Sequence, residues 1–552
     1  MLPSESAPLL YRELVKIATH STWSPTEQVL ALAGLLERLF FEATRREQIA
    51  FSTLFARISY AGHKFNFQEH ALRGIHRFRL AARWIRNGSP AGETTVQLGL
   101  RALAEATLVL TGAAIPQELI GAWGETDFGQ NSQKDGELTF ASVVRVVALE
   151  DQPGQNCLIA SDEDSDGRLV RVRYGLPERN ENFMPTIQAI RKIFGFPVTL
   201  NLLEVDIDAA GDYRPRAFVV EPDYLVDVSA ISECFKDTGV EPYSYLVRKF
   251  LPNESTEPKL LGNIANFFLD RLLQDPEAEW SATFRETFQL YPFVYAPMSD
   301  AEVKSVSNKA QKHFLNLKSM SVAGGGFSKE GIEPENCFLE PAFFSEQYGI
   351  QGRLDLFYRT EEKAAIVELK SGTPFRPNNY GIQRSHFTQT LLYDLLVRSV
   401  YGHGTNPAKY ILYSGVDLNQ LRFAPTVAPE QWEALQVRNQ LVAIERLLTK
   451  ITPGEEAIPV FGKLRAANGK GFTERDFARF EAAYSGLNGL EKKYFNAFAG
   501  FIAREHWLAK TGDEGSDTSH GHAALWRSSF ADKQQAFSIL SHLEILENRA
   551  RS

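Results

Sequence analysis

The sequence is poor in cysteine and lacks any long apolar run. Its three cysteines, Cys157, Cys234 and Cys337, are too far apart to form the closely spaced pairs that bind zinc. A set this sparse and odd in number is typical of a reducing compartment, so we expect a cytoplasmic protein. No signal peptide is recognised at the start and no apolar run is long enough to span a membrane, so we expect no membrane partner.

A nucleotide-binding loop is also missing. The pattern Gly-x4-Gly-Lys-Ser/Thr, which cradles phosphates in many ATPases, does not occur. The nearest approaches are Gly469-Lys470-Gly471 and Gly324-Gly325-Gly326, and neither has the lysine and hydroxyl residue in place. We therefore do not expect this chain alone to be a P-loop helicase.

The charge balance is acidic, with a formal net charge of −9. Proteins that bind nucleic acid often carry a basic excess, so this balance counts against such a partner. It does not exclude one, because local patches decide phosphate contacts. A length of 552 residues is too great for one hydrophobic core, and we expect three or four domains.

Hydrophobic patterning divides the chain into four regions. Residues 1–135 have the apolar spacing of helices and residues 136–221 contain short strand-like runs. Residues 222–425 alternate between helices and strands, and residues 426–552 are mainly helical. We predict a helical N-terminal domain, a small β-barrel of OB-like type, an α/β domain and a helical C-terminal region.

The N-terminal helices contain one basic face. Ser24-Pro25 predicts a helix start, because proline is favoured at the first helical position. A later helix, from His70 to Ile85, is rich in arginine and histidine. We interpret its basic face as a solvated surface.

One strand of the predicted barrel alternates apolar and basic residues. Val170 and Val172 alternate with Arg171 and Arg173. Barrels of this size often bind single strands through aromatic and basic groups, which makes the two arginines candidate DNA-binding residues. The alternative is a structural spacer domain.

The turn before that strand resembles the start of a calcium-binding loop. Asp162, Asp164, Asp166 and Gly167 have the spacing of an EF-hand, but Arg173 stands where the bidentate glutamate belongs. No flanking helices are predicted. We reject a calcium site and interpret the segment as a solvated hairpin turn.

Candidate chemistry is concentrated between residues 348 and 393. A short apolar strand carries Asp355, and a second carries Glu368 followed by Lys370. Glu368 and Lys370 are two residues apart, so their side chains point to the same face of the strand. Carboxylates among apolar residues need a cation, a proton or a metal, and hard oxygen ligands suit Mg²⁺. The alternative is a structural Glu–Lys ion pair.

The helix that follows adds polar groups to an otherwise leucine-rich segment. Gln389 and Tyr393 are four residues apart and lie on one face, and His386 precedes them by about one turn. Such a polar row beside two acids is unusual for a helix that only fills a core.

These residues together resemble the RecB-type PD-(D/E)XK nucleases. The resemblance lies in Asp355, then twelve residues, then Glu368-Leu369-Lys370, then Gln389-x3-Tyr393. It is especially similar to the nuclease region of the eukaryotic replication helicase/nuclease that trims flaps. It covers roughly residues 136 to 450, and its motifs are most specific at 348–393.

The resemblance implies an α/β core, a mixed sheet flanked by helices, that cuts DNA with Mg²⁺ or Mn²⁺. The metal ligands would be Asp355, Glu368, the carbonyl of Leu369 and an upstream acid, Glu340. Lys370 would position the attacking water. Gln389, Tyr393 and His386 would orient the strand or the lysine, as candidate DNA-binding residues.

The sequence departs from the family pattern at two places. Asn266 stands where the family usually has a metal-binding histidine, and an amide oxygen is a weaker ligand. The flap-trimming relative also has an iron–sulfur cluster on four cysteines. Cys234 alone lies near one of those places, so we expect no iron–sulfur cluster and interpret Cys234 as a small buried residue.

The sequence therefore predicts a metal-dependent DNA nuclease that acts on single-stranded or free-ended DNA. A separate helicase subunit is the expected partner, in DNA processing, repair or phage defence. The alternative is a nuclease-fold DNA-binding scaffold that supports a helicase but has lost cutting, and Asn266 is the feature in its favour.

Overall fold

The computed structural model describes residues 2–47, 49, 51–86, 88–123, 139–252, 256–372, 381–402, 404–452, 472–512, 521–528, 530–535 and 537–544. The chain forms two compact units. We call residues 1–224 with 500–552 the N-terminal unit, and residues 225–499 the central unit. The predicted boundary at 135/136 lies outside the described residues, and the predicted region 426–552 is divided between the two units.

The N-terminal unit begins with six helices around an apolar core. Ser24 caps the second helix, and its side chain and that of Glu27 bond each other's backbone N–H groups in a capping box, which confirms the helix start predicted at Ser24-Pro25. The helices are α1 (Ala7–Ala18), α2 (Pro25–Thr44), α3 (Leu54–Lys64), α4 (Glu69–Arg86), α5 (Glu93–Thr111) and α6 (Gln117–Trp123).

A closed five-stranded barrel follows in the same unit. Its strands are β1 (Phe140–Gln152), β2 (Cys157–Asp162), β3 (Leu169–Arg173), β4 (Val198–Ile207) and β5 (Tyr213–Arg214), with helix α7 (Met184–Ala189) between β3 and β4. The strand order is β1-β2-β3-β5-β4, and pairing of β1 with β4 closes the barrel. A sixth strand, β6 (Ala217–Val220), pairs with β4.

The basic helix α4 is less solvated than the sequence indicates. His76 and Arg79 are buried, and Arg77 pairs with Asp166 in the turn after β2, with 2.9 Å between Nε and Oδ2. Asp162, the last residue of β2, is also buried, and its Oδ2 accepts a hydrogen bond from the Tyr213 hydroxyl at 2.6 Å. The hairpin turn is as predicted and its Asp164 is exposed. The solvated-surface interpretation was wrong for His76, Arg79 and Asp162, which are buried.

The central unit is built on a five-stranded mixed sheet. Its strands in spatial order are β10 (Cys337–Leu339), β13 (Leu356–Arg359), β14 (Ala364–Lys370), β15 (Ala408–Tyr413) and β16 (Leu421–Phe423). Strands β14 and β15 are parallel, and the other neighbours are antiparallel. The remaining strands are β7 (Val226–Asp227), β8 (Phe235–Lys236), β9 (Gly239–Val240), β11 (Ala342–Ser345) and β12 (Ile350–Arg353), of which β11, β12 and β7 form a small second sheet.

Helices cover both faces of the five-stranded sheet. Helices before β10 are α8 (Val228–Ser232), α9 (Tyr243–Phe250), α10 (Glu257–Gln274), α11 (Trp280–Leu290), α12 (Pro292–Tyr295), α13 (Asp300–Ser321) and α14 (Gly326–Lys329). Later helices of the central unit are α15 (Arg384–Tyr401), α16 (Ala428–Thr449), α17 (Phe472–Gly486) and the first part of α18 (Gly489–Thr511). The rest of α18, with α19 (Ala524–Arg527) and α20 (Phe530–Gln535), belongs to the N-terminal unit.

Successive side chains of the central strands point to opposite faces of the five-stranded sheet. Val367 and Leu369 of β14 pack into the core that includes α10 and α13, whereas Ile411 and Tyr413 of β15 pack with α15. This is the expected consequence of the two-residue period of a strand. The predicted α/β core, a mixed sheet between helices, is confirmed. Within the described parts of the chain, no helix is long and apolar enough to cross a membrane.

Candidate active site

The carboxyl end of β14 brings the predicted residues together. Glu368 is 3% exposed, and Asp355 lies in a bend just before β13, the neighbouring strand. The backbone N–H of Leu369 donates to Oδ2 of Asp355 at 2.7 Å, which fixes this carboxylate against the end of β14. Both acids therefore occupy one end of the sheet.

The strand around Asp355 is interrupted, contrary to the single strand predicted over Gly352–Tyr358. The backbone N–H of Leu354 donates to the carbonyl of Pro341, and the carbonyl of Asp355 accepts from the N–H of Glu340, both at 3.1 Å. These bonds divide the segment between two sheets. The break turns Asp355 out of regular pleating and places it beside Glu340.

Lys370 joins the acids to helix α15. Its Nζ donates to Oε1 of Glu368 at 2.7 Å and to Oε1 of Gln389 at 2.9 Å. Nε2 of Gln389 donates to the Tyr393 hydroxyl at 3.1 Å, and that hydroxyl donates to the carbonyl of Arg353 at 2.8 Å. A continuous hydrogen-bond chain thus runs from Glu368 to the backbone of β12 and holds the lysine in one place.

The lysine is charged in this setting. Burial by itself would lower the pKa of Lys370, but the carboxylates of Glu368 and Asp355 outweigh burial, and the pKa is raised. Lys370 therefore carries a proton at neutral pH. It can donate to a water or a phosphate oxygen.

The positive charge near Asp355 and Glu368 does not balance the negative charge of two carboxylates. Burial, and then the charge of Glu368, raise the pKa of Asp355 well above its ordinary value, although Lys370 and the Leu369 N–H act in the opposite direction. Oε2 of Glu368 is buried and has no hydrogen-bond partner among the residues that the structure describes. Buried polar atoms are normally bonded, so this oxygen is available to coordinate a cation.

His386 lies near the lysine but bonds elsewhere. Its Nδ1 is 2.9 Å from the hydroxyl of Tyr413. Burial, followed by the positive charge of Lys370, lowers the pKa of His386 to about 3. The ring is therefore neutral at physiological pH and can contact DNA only as an uncharged group.

Glu340 faces a cation as well as the acids. It has a left-handed backbone conformation, with φ of 48°, and its Oε2 is 3.1 Å from Nη1 of Arg353. The Arg353 side chain is largely exposed, whereas that of Glu340 is partly buried. The backbone of Glu340 is thus bonded to that of Asp355, while its carboxylate is paired with Arg353.

Asn266 lies on α10, the helix that crosses the end of β14. One turn before it, Gly262 approaches Ser371, which follows Lys370, and a β-carbon at Gly262 would lie 3.5 Å from Oγ of Ser371. Asn266 is partly exposed, and no hydrogen bond found in the described regions joins it to Asp355 or Glu368. Nor do the described residues include three or more His, Cys, Asp or Glu side chains grouped to hold a metal.

Asp270 is an acid near this site that the sequence did not single out. Burial, followed by the charge of Glu340, raises the pKa of Asp270 to about 6, with Arg353 acting in the opposite direction. Its separation of 70 positions from Glu340 gives no local signal. The helical row of Gly262, Asn266 and Asp270 at four-residue spacing was the available indication.

The other predicted DNA-binding residues, Arg171 and Arg173, belong to the N-terminal unit. Both pair with the buried Asp212, whose Oδ1 is 2.7 Å from Nε of Arg171 and whose Oδ2 is 2.7 Å from Nε of Arg173. Arg171 remains 46% exposed. Their role in DNA binding stays a prediction.

Cys234 is buried, as expected of a small core residue. Its Sγ lies 3.3 Å from the carbonyl oxygen of Ala230, and burial raises the pKa of the thiol to about 12. The thiol is therefore protonated. The expectation that the protein has no iron–sulfur cluster stays a prediction.

Comparison with known proteins places the site residues in a family context. A search of curated proteins finds no significant match. Residues 242–484 match the family model of the PD-(D/E)XK nuclease superfamily, whose members are nucleases that use divalent metal ions. The matched region contains Asp355, Glu368 and Lys370, so the part of the chain that carries the candidate site is similar to this nuclease superfamily.

Proposed function

We propose that the chain is a DNA nuclease that depends on Mg²⁺ or Mn²⁺ and hydrolyses phosphodiester bonds at the site formed by Asp355, Glu368 and Lys370. The observation that carries the proposal is the buried, unbonded Oε2 of Glu368 beside a second carboxylate. A purely structural Glu–Lys ion pair does not call for a second carboxylate in the same place, because the added negative charge would oppose the pair.

The donors present fit a hard divalent cation. Asp355, Glu368 and the carbonyl of Leu369 supply oxygen atoms, which Mg²⁺ and Mn²⁺ prefer. Glu340 and Asn266 are further ligands in this proposal, directly or through water. A bound divalent ion would lower the pKa of a coordinated water and neutralise charge on the phosphate.

The protein's own residues position the reacting groups. Lys370 is protonated and held between Glu368 and Gln389, so it can hold a water or a phosphate oxygen by hydrogen bonding. Tyr393 fixes the amide of Gln389 and is itself anchored to the backbone of β12. Preorganised donors of this kind stabilise developing charge without having to reorient during the reaction.

The proposed substrate is single-stranded or free-ended DNA. The closed strand order β1-β2-β3-β5-β4 supports an OB-like barrel, a type that binds single strands. Arg171 and Arg173 on β3 would contribute there. We further propose a separate helicase partner and a role in DNA processing, repair or phage defence, by analogy with the flap-trimming helicase/nuclease.

The test is digestion of end-labelled DNA, single- and double-stranded, with free or blocked ends, in Mg²⁺ and in Mn²⁺. We expect cleavage with either ion and none with a chelator. Lys370→Ala should abolish it, whereas Lys363→Ala, which changes an exposed lysine at the opposite end of β14, should not. Cleavage that persists in the chelator, or in Lys370→Ala, would refute the site.

A second candidate function is DNA binding without cutting, in support of a helicase. Two observations favour it: Asn266 replaces the usual histidine, and Glu340 is paired with Arg353. This function requires salt-sensitive DNA binding by a protein that cuts neither single nor double strands with either ion. The same digestion, read beside a binding curve, separates the two proposals.

A further inference from the structure

An aromatic side chain of the central unit is almost completely exposed. Phe293, on the short helix α12, is 91% exposed, and Leu290 at the end of α11 is 50% exposed. Single exposed apolar residues are common on protein surfaces, but a phenylalanine this open beside a second exposed residue forms a small apolar patch. The residues around this patch indicate whether it can bind a ligand.

The backbone that carries Phe293 is firmly held. Tyr295, two residues later, is buried, and its ring stacks on that of Phe288 with 4.3 Å between centroids. The hydroxyl of Tyr295 is 3.0 Å from Oγ1 of Thr287. The segment therefore packs through its other aromatic residues and leaves the Phe293 side chain on the surface.

The same segment adjoins the helix that crosses the site. The hydroxyl of Tyr291 donates to the carbonyl of Asn263 on α10 at 3.4 Å. Asn263 follows Gly262, where an added β-carbon would come within 3.5 Å of the Ser371 side chain, next to Lys370. Tyr291 also lies in the field of the site's acids, because burial and then the charge of Glu340 raise the pKa of its hydroxyl.

We propose that Phe293 stacks on an unpaired base of the DNA strand that enters the candidate active site, and so favours single-stranded over duplex substrate. The inference rests on the proposed nuclease function and names the substrate form. A base has an open aromatic face only when it is unpaired and unstacked, whereas duplex bases cover each other's faces. Stacking on an aromatic side chain is tolerant of sequence and so suits a nuclease of broad sequence range.

The patch is too small for the main alternative, a stable protein partner. Specific protein interfaces usually bury about 800 Å² on each partner. Phe293 and Leu290 together offer much less apolar surface than that. A single nucleobase matches the size of one phenyl ring and needs no further surface.

The experiment measures binding in the Lys370→Ala background, in which DNA stays intact. Fluorescence anisotropy is read with a labelled single-stranded oligonucleotide and with the matching duplex. We expect Phe293→Ala to weaken single-strand binding about tenfold, the scale of one lost stacking contact, and to leave duplex binding unchanged. Phe293→Trp should retain the affinity, because the aromatic face is kept.

Two controls make the result specific to stacking. Phe537→Ala removes a phenylalanine that is 94% exposed in the N-terminal unit and should change nothing. An oligonucleotide of abasic sites keeps the phosphates but lacks bases, so Phe293→Ala should have no effect on its binding.

An unchanged single-strand affinity in Phe293→Ala would overturn the inference, as would an equal loss for normal and abasic strands. The binding comparison does not require cleavage. If the unsubstituted protein binds DNA but fails to cut it, the nuclease proposal fails while the stacking contact can still be confirmed.

Discussion

Each of the two compact units buries a carboxylate beside positively charged side chains. In one unit both carboxylate oxygens are bonded, and in the other only one is. In the N-terminal unit, Oδ2 of Asp223 lies 2.6 Å from Nη2 of Arg145 and 3.5 Å from Nη1 of Arg527. Its Oδ1 accepts from Nε1 of Trp526 at 2.9 Å. In the central unit, Glu368 has Lys370 on one oxygen and nothing described on the other.

The electrostatics follow the same division. Burial would raise the pKa of Asp223, but Arg145 and Arg527 outweigh it and lower the pKa to about 2. At the candidate site, the opposite balance raises the pKa of Asp355. A buried carboxylate whose oxygens are all bonded, like that of Asp223, stabilises the fold. We infer that a buried carboxylate with an unbonded oxygen, like that of Glu368, can bind a cation.

The largest predicted effect is the loss of cleavage when Lys370 or Glu368 of the candidate site is replaced. Lys370→Ala and Glu368→Ala should each bring cleavage below detection, a loss of at least about 10²–10⁴-fold, because each removes a positioned charged group from the reacting centre. The measurement is single-turnover cleavage of labelled DNA, beside circular dichroism to show that the fold is kept. Full activity in both variants would show that the site is elsewhere.

The two carboxylates should respond oppositely when their charge is removed. Asp223→Asn leaves two buried arginines without their anion, and we expect it to lower the free energy of unfolding by about 3–5 kcal/mol. Glu368→Gln removes repulsion with Asp355 and should change stability by less than about 1 kcal/mol, or raise it. Urea denaturation followed by fluorescence gives both values. Equal losses would remove the distinction between the two sites.

The pH dependence of stability, compared between the unsubstituted protein and Asp223→Asn, separates Asp223 from other carboxylates of lowered pKa such as Asp212. Its pKa is lowered on folding from 3.8 to about 2, so its stabilising contribution is present above about pH 4 and is lost as pH falls toward 2. A pKa change of this size corresponds to about 2–3 kcal/mol. Unfolding curves between pH 2 and 5 should show this loss in the unsubstituted protein and not in Asp223→Asn. The same slope in both proteins would contradict the assignment.

The smallest expected effect concerns Asn266. If it lies at a metal position, Asn266→His should raise the cleavage rate at limiting Mn²⁺ by about tenfold, because imidazole is a stronger ligand than an amide. Asn263→His, one turn earlier on an exposed part of α10, is the matched control. Identical metal dependence in all three proteins would remove Asn266 from the site.

The sequence predicted the part of the site that lies within one short segment. Asp355, Glu368, Lys370, Gln389 and Tyr393 are all found between positions 355 and 393, where strand and helix periods determine which side chains share a face. The hydrogen-bond chain that joins them follows directly from that spacing.

Contacts between distant segments were not predictable in this way. Asp270 approaches Glu340, and Arg353 pairs with Glu340, only because α10 and the interrupted strand meet in three dimensions. Arg171 was chosen from its alternating pattern, yet Asp212, 41 positions later, neutralises it. A sequence pattern shows that a charge is present but not which distant partner it has.

The most direct test of the account is a titration of the metal-free protein with Mn²⁺, in which electron paramagnetic resonance separates free from bound ion. We predict bound Mn²⁺ in the unsubstituted protein and in Asp223→Asn, and loss of that binding in Glu368→Gln. The buried Oε2 of Glu368 has no hydrogen-bond partner among the described residues, whereas both oxygens of Asp223 are bonded. Binding that is unchanged in Glu368→Gln would contradict the central claim.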